Sequence, residues 1–217
     1  MTQVRLSYAY GTSQQPLLGM TIGDKFDQAC LQYADQDAVI SVHQNVRLSY
    51  KQLQNKVNAF ACSLIQLGLN KGDRLGIWSP NCVEWTISQF AAFKAGIILV
   101  NLNPSYKSSE LEFVLNKVSC KALIIASHFK TTDYQEILTK SAPEIHNAHD
   151  KVLSAKNLPH LKSVIKIDDQ QQVGFHRFSD LMPEPNAEQL AQLEAIAADL
   201  QFDETINIQF TSGTTGN

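Results

Sequence analysis

The stretch that decides the fold is residues 97–102, which reads Ile-Ile-Leu-Val-Asn-Leu. Four consecutive aliphatic residues favour a β-strand that is covered on both faces, as the strands of parallel sheets are. Gly96 stands immediately before the run, and Asn103-Pro104 breaks it. The stretch therefore predicts an interior strand of a parallel sheet.

Similar strands precede and follow this one along the chain. Residues 74–78 (RLGIW) lead into a predicted helix over residues 82–94, and residues 121–126 (KALIIA) follow a helix that Ser108 or Ser109 is placed to cap. The order is therefore β-α-β-α-β-α, and each crossover is long enough to join parallel strands. We predict an α/β fold with a layered parallel sheet, whose ligands bind beyond the carboxyl ends of the strands.

The outer parts of the chain carry clear helix signals. Thr21 is placed to cap one helix, and Ser49 with Gln52 has the spacing of a capping box at the start of another, which Gly68 is placed to end. The remaining predicted elements are a helix over residues 22–33, a hairpin of residues 37–42 and 46–49, a helix over 132–138, a strand over 161–167, a helix over 186–200 and a strand over 204–210.

Composition excludes several classes of protein. Of the 217 residues, 44% are hydrophobic and 18% are charged, a composition too hydrophobic for a disordered chain. The net charge of −3 lacks the basic excess of a nucleic-acid-binding protein. No run approaches the ~18 apolar residues of a membrane span, and the first residues lack the order of a signal peptide. We therefore expect neither a membrane span nor a nucleic-acid partner, and a cytoplasmic location is the default expectation.

The cysteines and histidines give no indication of a metal site. The four cysteines contain no C-x-x-C pair, so we expect buried free thiols. His146 and His149 are three residues apart, but no further ligand stands out near them. We therefore expect these two histidines on the surface and assign no metal ligand.

The last predicted strand runs directly into the segment Thr211-Ser212-Gly213-Thr214-Thr215-Gly216. Glycine lets the backbone turn tightly and approach a ligand, and successive free N–H groups bind anions. Hydroxyl side chains add donors with little bulk, which suits the many acceptor oxygens of a polyphosphate. The glycine spacing differs from that of a Walker A loop and of the G-x-G-x-x-G fingerprint. The alternative is a flexible Ser/Thr/Gly linker, but linkers seldom follow an alternating strand directly.

This segment resembles the phosphate-binding signature of the adenylate-forming enzymes, which include acyl-CoA synthetases, luciferases of the firefly type and adenylation domains of peptide synthetases. Further cues of that family lie in the same order along the chain: Leu48-Ser49-Tyr50-Lys51-Gln52-Leu53, Gly68 with Lys71-Gly72-Asp73-Arg74, Pro80-Asn81 with Trp85, Ala95-Gly96, and Asn103-Pro104. Within the family, residues 10–13, 16–19, 95–100, 120–123 and 206–210 are similar to those of medium-chain fatty acyl-CoA ligases. The resemblance covers nearly the whole chain.

The resemblance implies a two-step ligase reaction. A carboxylate attacks the α-phosphorus of ATP to give an acyl-adenylate and pyrophosphate, and the thiolate of CoA then displaces AMP. The implied substrates and cofactors are a medium- or long-chain fatty acid, ATP, Mg²⁺ and CoA. The loop would hold the β- and γ-phosphates, so the implied nucleotide-binding residues are Thr211, Ser212, Gly213, Thr214, Thr215 and Gly216. The family's catalytic residues are expected beyond residue 217, so none is assigned here.

In the family, this loop is followed by a proline, a lysine and a much longer polypeptide. We therefore expect residues 1–217 to be the N-terminal portion of the AMP-binding (adenylation) domain, with the large remainder and the C-terminal lid domain absent. We expect this portion to be inactive alone. Two alternatives remain open: a non-catalytic module, either a nucleotide-binding remnant or inert, and an adenylating enzyme that uses a carrier-protein thiol. The sequence is compatible with an oligomer.

Overall fold

The computed structural model describes residues 17–129 and 131–211. Within them the α-helices are α1 (Ile22–Gln32), α2 (Tyr50–Gln66), α3 (Val83–Lys94), α4 (Ser108–Lys117), α5 (Tyr134–Ser141) and α6 (Ala187–Ala198), and two 3₁₀-helices span Pro143–Asn147 and Ser179–Leu181. The strands are β1 (Asp37–Ser41), β2 (Val46–Ser49), β3 (Arg74–Trp78), β4 (Ile98–Asn101), β5 (Ala122–Ile125), β6 (His128–Phe129), β7 (Thr132–Asp133), β8 (Ser163–Lys166), β9 (His176–Arg177) and β10 (Asn207–Gln209).

Six of these strands form one parallel sheet. Their spatial order is β10-β4-β3-β5-β8-β9, and every neighbouring pair runs in the same direction. β1 pairs with β2, and β6 with β7, in two separate antiparallel hairpins. Because the six strands are parallel, their carboxyl ends lie along one edge of the sheet. The predicted α/β fold with a layered parallel sheet is confirmed.

Apolar layers cover the sheet on both faces. One face packs against α1, α2, α3 and α6 in a buried cluster that includes Ile77 and Leu99. The other face packs against α4 and α5 in a second cluster, which includes Val100 and Leu123. Leu99 and Val100 are both fully buried and contribute to opposite clusters. This two-sided burial explains the run of aliphatic residues from which the interior strand was predicted.

The helix signals of the sequence are confirmed at α1 and α2. Asp24 N–H donates to Thr21 Oγ1 at 3.0 Å and so caps α1. At α2, Gln52 N–H donates to Ser49 Oγ, and Ser49 N–H donates to Gln52 Oε1, which completes the capping box. Gly68 has a φ of +84°, a left-handed conformation that favours glycine just after a helix.

Several boundaries differ from the sequence prediction. The predicted serine cap of α4 is wrong: the N-cap is Lys107, whose N–H donates to the Glu110 carboxylate at 2.8 Å. Helix α5 begins only at Tyr134, because the two residues before it pair in strand β7. Strand β8 is buried along its whole length rather than weakly alternating, and the sequence does not predict β9. These short strands depend on neighbours that are distant in sequence, which local patterns do not report.

Further features concern membrane spans, clusters of metal-ligating residues, and the cysteines and histidines. None of the described helices is long and apolar enough to cross a membrane, and residues 17–129 and 131–211 contain no group of three or more His, Cys, Asp or Glu that could hold a metal ion. The four cysteines are free; three are buried and Cys82 is partly buried. Burial raises the pKa of Cys30 to about 11 and that of Cys120 to about 12, so both thiols are neutral at pH 7. His146 and His149 are exposed, as expected.

Candidate functional site

The candidate site is the edge of the sheet at which the parallel strands end. We use the name carboxyl edge for residues 79–82, 102–106, 126–129 and 210–211, which follow β3, β4, β5 and β10. Thr211, the first of the predicted nucleotide-binding residues, is exposed at this edge. Residues 212–216, which hold the other five, lie outside the described residues, so their assignment stays a prediction.

Strand β10 determines where the predicted loop begins. It pairs with β4 in parallel, with Gln209 opposite Asn101. Leu99 N–H donates to Ile206 O at 2.9 Å, immediately before the paired residues of β10. Phe210, just after the strand, packs against the buried cluster beneath α4 and α5. The Ser/Thr/Gly segment therefore follows a strand that belongs to the sheet, which argues against a flexible linker.

A polar side chain lies inside the carboxyl edge beside β10. Asn101 Nδ2 donates to Asn207 Oδ1 at 3.4 Å, across the two paired strands. Asn101 Oδ1 is buried and has no hydrogen-bond donor among the described residues. A buried acceptor without a donor costs about 1–3 kcal/mol, and its persistence calls for an explanation such as a functional contact. We therefore include Asn101 in the candidate site.

Two aromatic side chains hold the loop that follows β4. Trp78 and Tyr134 are fully buried, and their ring centroids are 4.0 Å apart in a stacked arrangement. Trp78 Nε1–H donates to Asn103 O at 3.0 Å, and the Tyr134 hydroxyl donates to Pro104 O at 2.9 Å. Burial raises the pKa of Tyr134 to about 12, so the hydroxyl keeps its proton at neutral pH. The loop is thus held at two consecutive carbonyl groups.

The loop that follows β3 is held by a residue from a distant hairpin. Helix α3 begins after Cys82, whose side chain makes no capping hydrogen bond. Instead, Gln44 in the β1–β2 turn accepts a hydrogen bond from Val83 N–H at 2.8 Å and donates to Glu84 Oε2 at 2.8 Å. Gln44 therefore replaces the missing cap at the carboxyl edge. Burial raises the pKa of the Cys82 thiol, which leaves it protonated and a poor nucleophile.

The end of the sheet near β8 carries an ion pair between the buried Lys166 and the partly buried Asp168. The Lys166 side chain is 3% exposed, and its ammonium group lies 3.2 Å from Asp168 Oδ2 and donates to Gln135 Oε1 and Gln172 Oε1 at 3.1 and 3.0 Å. Ser127 Oγ donates to Asp168 Oδ2 at 2.6 Å. Burial alone would raise the pKa of Asp168, but these hydrogen bonds and the nearby ammonium group hold it below its ordinary value. The cluster borders a cavity of about 430 Å³.

The sequence predicts the loop but does not predict the side chains that hold the neighbouring loops of the carboxyl edge. Gln44, Tyr134 and Lys166 bond to partners that lie 39, 30 and 31 residues away in sequence. Trp78, at the end of β3, lies in the buried cluster beneath α4 and α5. The one signal in the sequence for Gln44, Tyr134 and Lys166 is that each lies at or beyond the end of a predicted strand. That position does not indicate which residue each side chain bonds to.

The chain is similar to known proteins over most of its length. A model of the AMP-binding enzyme family matches residues 26–217. The mitochondrial medium-chain acyl-CoA ligase ACSF2 is 42% identical over 213 residues in Mus musculus and 39% identical over 213 residues in Homo sapiens, covering 98% of this chain and 34% of each of those proteins. The putative acyl-CoA synthetase YngI of Bacillus subtilis is 34% identical over 200 residues, or 92% of this chain and 36% of that protein. The resemblance seen in the sequence is confirmed.

Solved structures share the fold. Anthranilate CoA ligase AuaEII in complex with anthranoyl-AMP matches with a TM-score of 0.66 and 24% identity, covering 93% of this chain and 34% of its own. The N-terminal domain of FACL13 from Mycobacterium tuberculosis matches with a TM-score of 0.65 and 24% identity, covering 91% of this chain and 42% of its own. At this identity the likeness establishes the fold alone.

Two further points follow from the curated relatives. The chain spans about a third of their length, since it covers 34% of the ACSF2 proteins. The expectation of a cytoplasmic location is wrong, because the vertebrate relatives at 39–42% identity are mitochondrial proteins. That expectation rested only on the lack of a signal-peptide pattern, which is not a positive signal for any compartment.

Proposed function

The chain belongs to the AMP-binding enzyme family, and on that premise we propose that it is the N-terminal portion of the adenylation domain of an ATP-dependent fatty acyl-CoA ligase. The observation that carries the proposal is strand β10, which pairs in parallel with β4 and leads directly into Thr211 at the carboxyl edge. A phosphate-binding loop suits this position, because ligands of parallel sheets bind beyond the carboxyl ends of the strands.

The proposed reaction has two steps. In the first, a carboxylate oxygen of the fatty acid attacks the α-phosphorus of ATP, and the bond from that phosphorus to the oxygen of the leaving pyrophosphate breaks. In the second, the thiolate of CoA attacks the acyl carbon, and AMP leaves with the oxygen that joined it to the acyl group. Both steps depend on holding charged groups in position, so preorganised hydrogen-bond donors are what this chain is proposed to supply.

We assign the binding of the β- and γ-phosphates to six consecutive residues. Their hydroxyl groups and free backbone N–H groups are short donors that match phosphate oxygens. The assigned residues are Thr211, Ser212, Gly213, Thr214, Thr215 and Gly216. Mg²⁺ is the ion expected to offset the phosphate charge, but the described residues hold no cluster that could bind a metal ion, so no step is assigned to it.

The relatives support a choice of substrates. ACSF2 is named a medium-chain acyl-CoA ligase in each of the vertebrates compared. A medium-chain fatty acid and CoA are therefore the proposed acyl donor and thiol of the whole enzyme. The described residues give no specific support to a carrier-protein thiol, so that alternative is left to the test.

Nucleotide binding is tested first on the 217-residue chain. MgATP is titrated into the protein and followed by calorimetry, with Gly213→Asp as the variant and Gly19→Asp as the control, since a Cβ at Gly19 meets nothing within 4 Å. We expect weak binding, because a loop without the rest of its site supplies few of the contacts that offset the cost of association. Binding should be lost in Gly213→Asp and kept in Gly19→Asp. Equal binding by both variants would contradict the loop assignment, and no heat with the unchanged chain would favour an inert module.

Catalysis is tested in a chimera. Residues 1–217 replace the matching third of the mouse ligase, and pyrophosphate release is measured with short, medium and long fatty acids, with the unaltered mouse enzyme as the reference. We expect pyrophosphate release that is greatest with medium chains, and repeated turnover only when CoA is present to discharge the acyl-adenylate. A folded chimera without turnover on any chain length would reject the ligase function, and transfer to a carrier-protein thiol but not to CoA would support the alternative acceptor.

A further inference from the structure

The family-like segment Lys71-Gly72-Asp73-Arg74 lies at the edge of the sheet opposite the candidate site, and we call it the amino-edge turn. It leads from α2 into β3. Gly72 N–H donates to Gly96 O at 2.8 Å, which joins the turn to the α3–β4 connection two residues before β4. Asp73 Oδ2 lies 2.7 Å from Lys121 Nζ, which joins it to the residue before β5. The turn therefore aligns the starts of three neighbouring strands.

Lys71 connects the same turn to a fourth strand. Its ammonium group lies 2.8 Å from Glu204 Oε1, 3.3 Å from Asp199 Oδ2 and 3.0 Å from Asp199 O. Both partners belong to the segment between α6 and β10. The hydrogen bond with Glu204 is the main cause that raises the pKa of Lys71, and the same bond lowers the pKa of Glu204. Both groups are therefore charged at neutral pH, as an ion pair requires.

Packing adds to this polar contact. Gly96 has a φ of +67°, and a Cβ built there would lie 2.8 Å from Leu200 Cδ2 and 3.1 Å from Lys71 Cγ. The backbone of the α3–β4 turn thus approaches both the stem of Lys71 and the segment between α6 and β10. A residue larger than glycine at this point would separate them.

Strand β10 needs such support because its own pairing is short. It has three residues, it lies at the end of the sheet, and β4 is its neighbour. Two of those residues, Asn207 and Gln209, are polar, so Ile208 is the one residue of the strand that packs against a buried cluster. The contacts of residues 199–206 therefore add to the β4 pairing and to the packing of Ile208 and Phe210 in holding β10 at its place in the sheet.

We propose that Lys71 is a positioning residue for the phosphate-binding loop, acting from the opposite edge of the sheet through Glu204 and strand β10. This inference rests on the proposed function for its meaning, since that function makes the loop a binding site. Lys71 itself does not reach the carboxyl edge. Its role is to hold the strand in the one register that delivers Thr211 beside β4.

Amide hydrogen exchange on the 217-residue chain tests the first part of this inference. Leu99 N–H, which donates to Ile206 O, reports the docking of β10, and Lys121 N–H, which donates to Arg74 O, reports the β3–β5 side. Lys71→Met should speed exchange at Leu99 about two- to fivefold, the factor that corresponds to the loss of a partly exposed ion pair. Exchange at Lys121 should not change. Lys140→Met is the matched control, because it removes an exposed ion pair within α5.

The second part concerns the loop. Backbone NMR signals of Gly213 and Gly216 should shift in Lys71→Met and Glu204→Gln, and the double variant should shift them no further than Lys71→Met does. Lys71→Arg, which keeps the charge, should restore both the signals and the slow exchange at Leu99. Urea unfolding midpoints should stay close to that of the unchanged chain, since exposed pairs contribute little to global stability.

The outcomes separate this inference from the proposed function. Unchanged exchange at Leu99 in Lys71→Met overturns the inference whether or not the chain binds ATP. Faster exchange at Leu99 with unmoved signals at Gly213 and Gly216 also overturns it, because the contact would then be merely structural. Shifted signals in a chain that binds no MgATP would support the positioning and count against the proposed function alone.

Discussion

Removing the hydroxyl group of Tyr134 should destabilise the fold by an amount set by its contact with the carboxyl edge. Tyr134→Phe keeps the ring that stacks on Trp78 at 4.0 Å and removes only the hydrogen bond to Pro104 O. One such bond contributes about 0.5–1.5 kcal/mol, and an acceptor left without a donor adds to the loss. Because Pro104 is only partly buried, water can replace part of the bond. We expect a loss of about 1–2 kcal/mol in the free energy of unfolding.

The assay is urea unfolding followed by tryptophan fluorescence, at neutral pH and again at alkaline pH. Tyr33→Phe is the control. Tyr33 is 38% exposed, so removing its hydroxyl group should change the free energy of unfolding less than removing the buried hydroxyl group of Tyr134. Burial raises the pKa of Tyr134 from 10 in the unfolded chain to about 12 in the folded one. The stability due to the protonated hydroxyl is therefore complete below pH 10 and is lost as the pH rises through 12. The difference in free energy of unfolding between the parent protein and Tyr134→Phe should therefore decrease between pH 10 and pH 12.

Two results would refute this reasoning. A cost for Tyr134→Phe no larger than that for Tyr33→Phe would mean that the hydroxyl does not hold the loop after β4. A gap that stays constant at alkaline pH would mean that the hydroxyl titrates alike in the folded and unfolded chains. Either result would also weaken the interpretation of the carboxyl edge as a preorganised surface.

Three other changes test the supports of the sheet. Gln44→Ala removes the cap of α3 and should cost about 1 kcal/mol in urea unfolding, whereas Gln192→Ala on exposed α6 should cost almost nothing. Gly76→Ala places a Cβ 2.9 Å from Leu123 Cδ1 and should lower the free energy of unfolding by about 1–3 kcal/mol through overpacking. A melting temperature equal to that of the parent protein would contradict this expectation. Asp168→Asn should cost about 1–3 kcal/mol at pH 7, because the lowered pKa stabilises the fold above about pH 3.8 and that stability is lost as the pH falls further. The parent and variant should therefore converge in stability in acid, and a difference that stays constant as the pH falls below 3.8 would contradict this role of Asp168.

Much of the fold could be predicted because its signals are local. The run at residues 97–102 reported burial on both faces of one strand, and the helix caps at Thr21 and Ser49 involve residues three apart. Such patterns need only the chain's own geometry, namely the period of a helix or strand and the reach of a short side chain. The order of strands and helices then implied the parallel sheet.

The supports of the candidate site could not be predicted, for a physical reason. Gln44 caps a helix that begins 39 residues later, and Tyr134 donates to a carbonyl group 30 residues earlier. Nothing in a sequence window reports such a contact, because it exists only after the sheet has brought the elements together. The short strands β6, β7 and β9 belong to the same class, since each has two residues and its pairing depends on a neighbour.

The contrast between the two edges also explains why composition alone left a linker and a binding loop as alternatives. A Ser/Thr/Gly run has the same donors in either state, and what differs is whether its first residue is held in place. Here the strand before it contributes three paired residues and the packing of Ile208 and Phe210. The ion pair of Lys71 with Glu204 adds a contact at the other end of the strand. A chain with the same loop sequence but without this ion pair should therefore have the same hydrogen-bond donors and should not hold them in place. The exchange rate of the Leu99 amide reports whether β10 is docked, which the loop sequence alone does not.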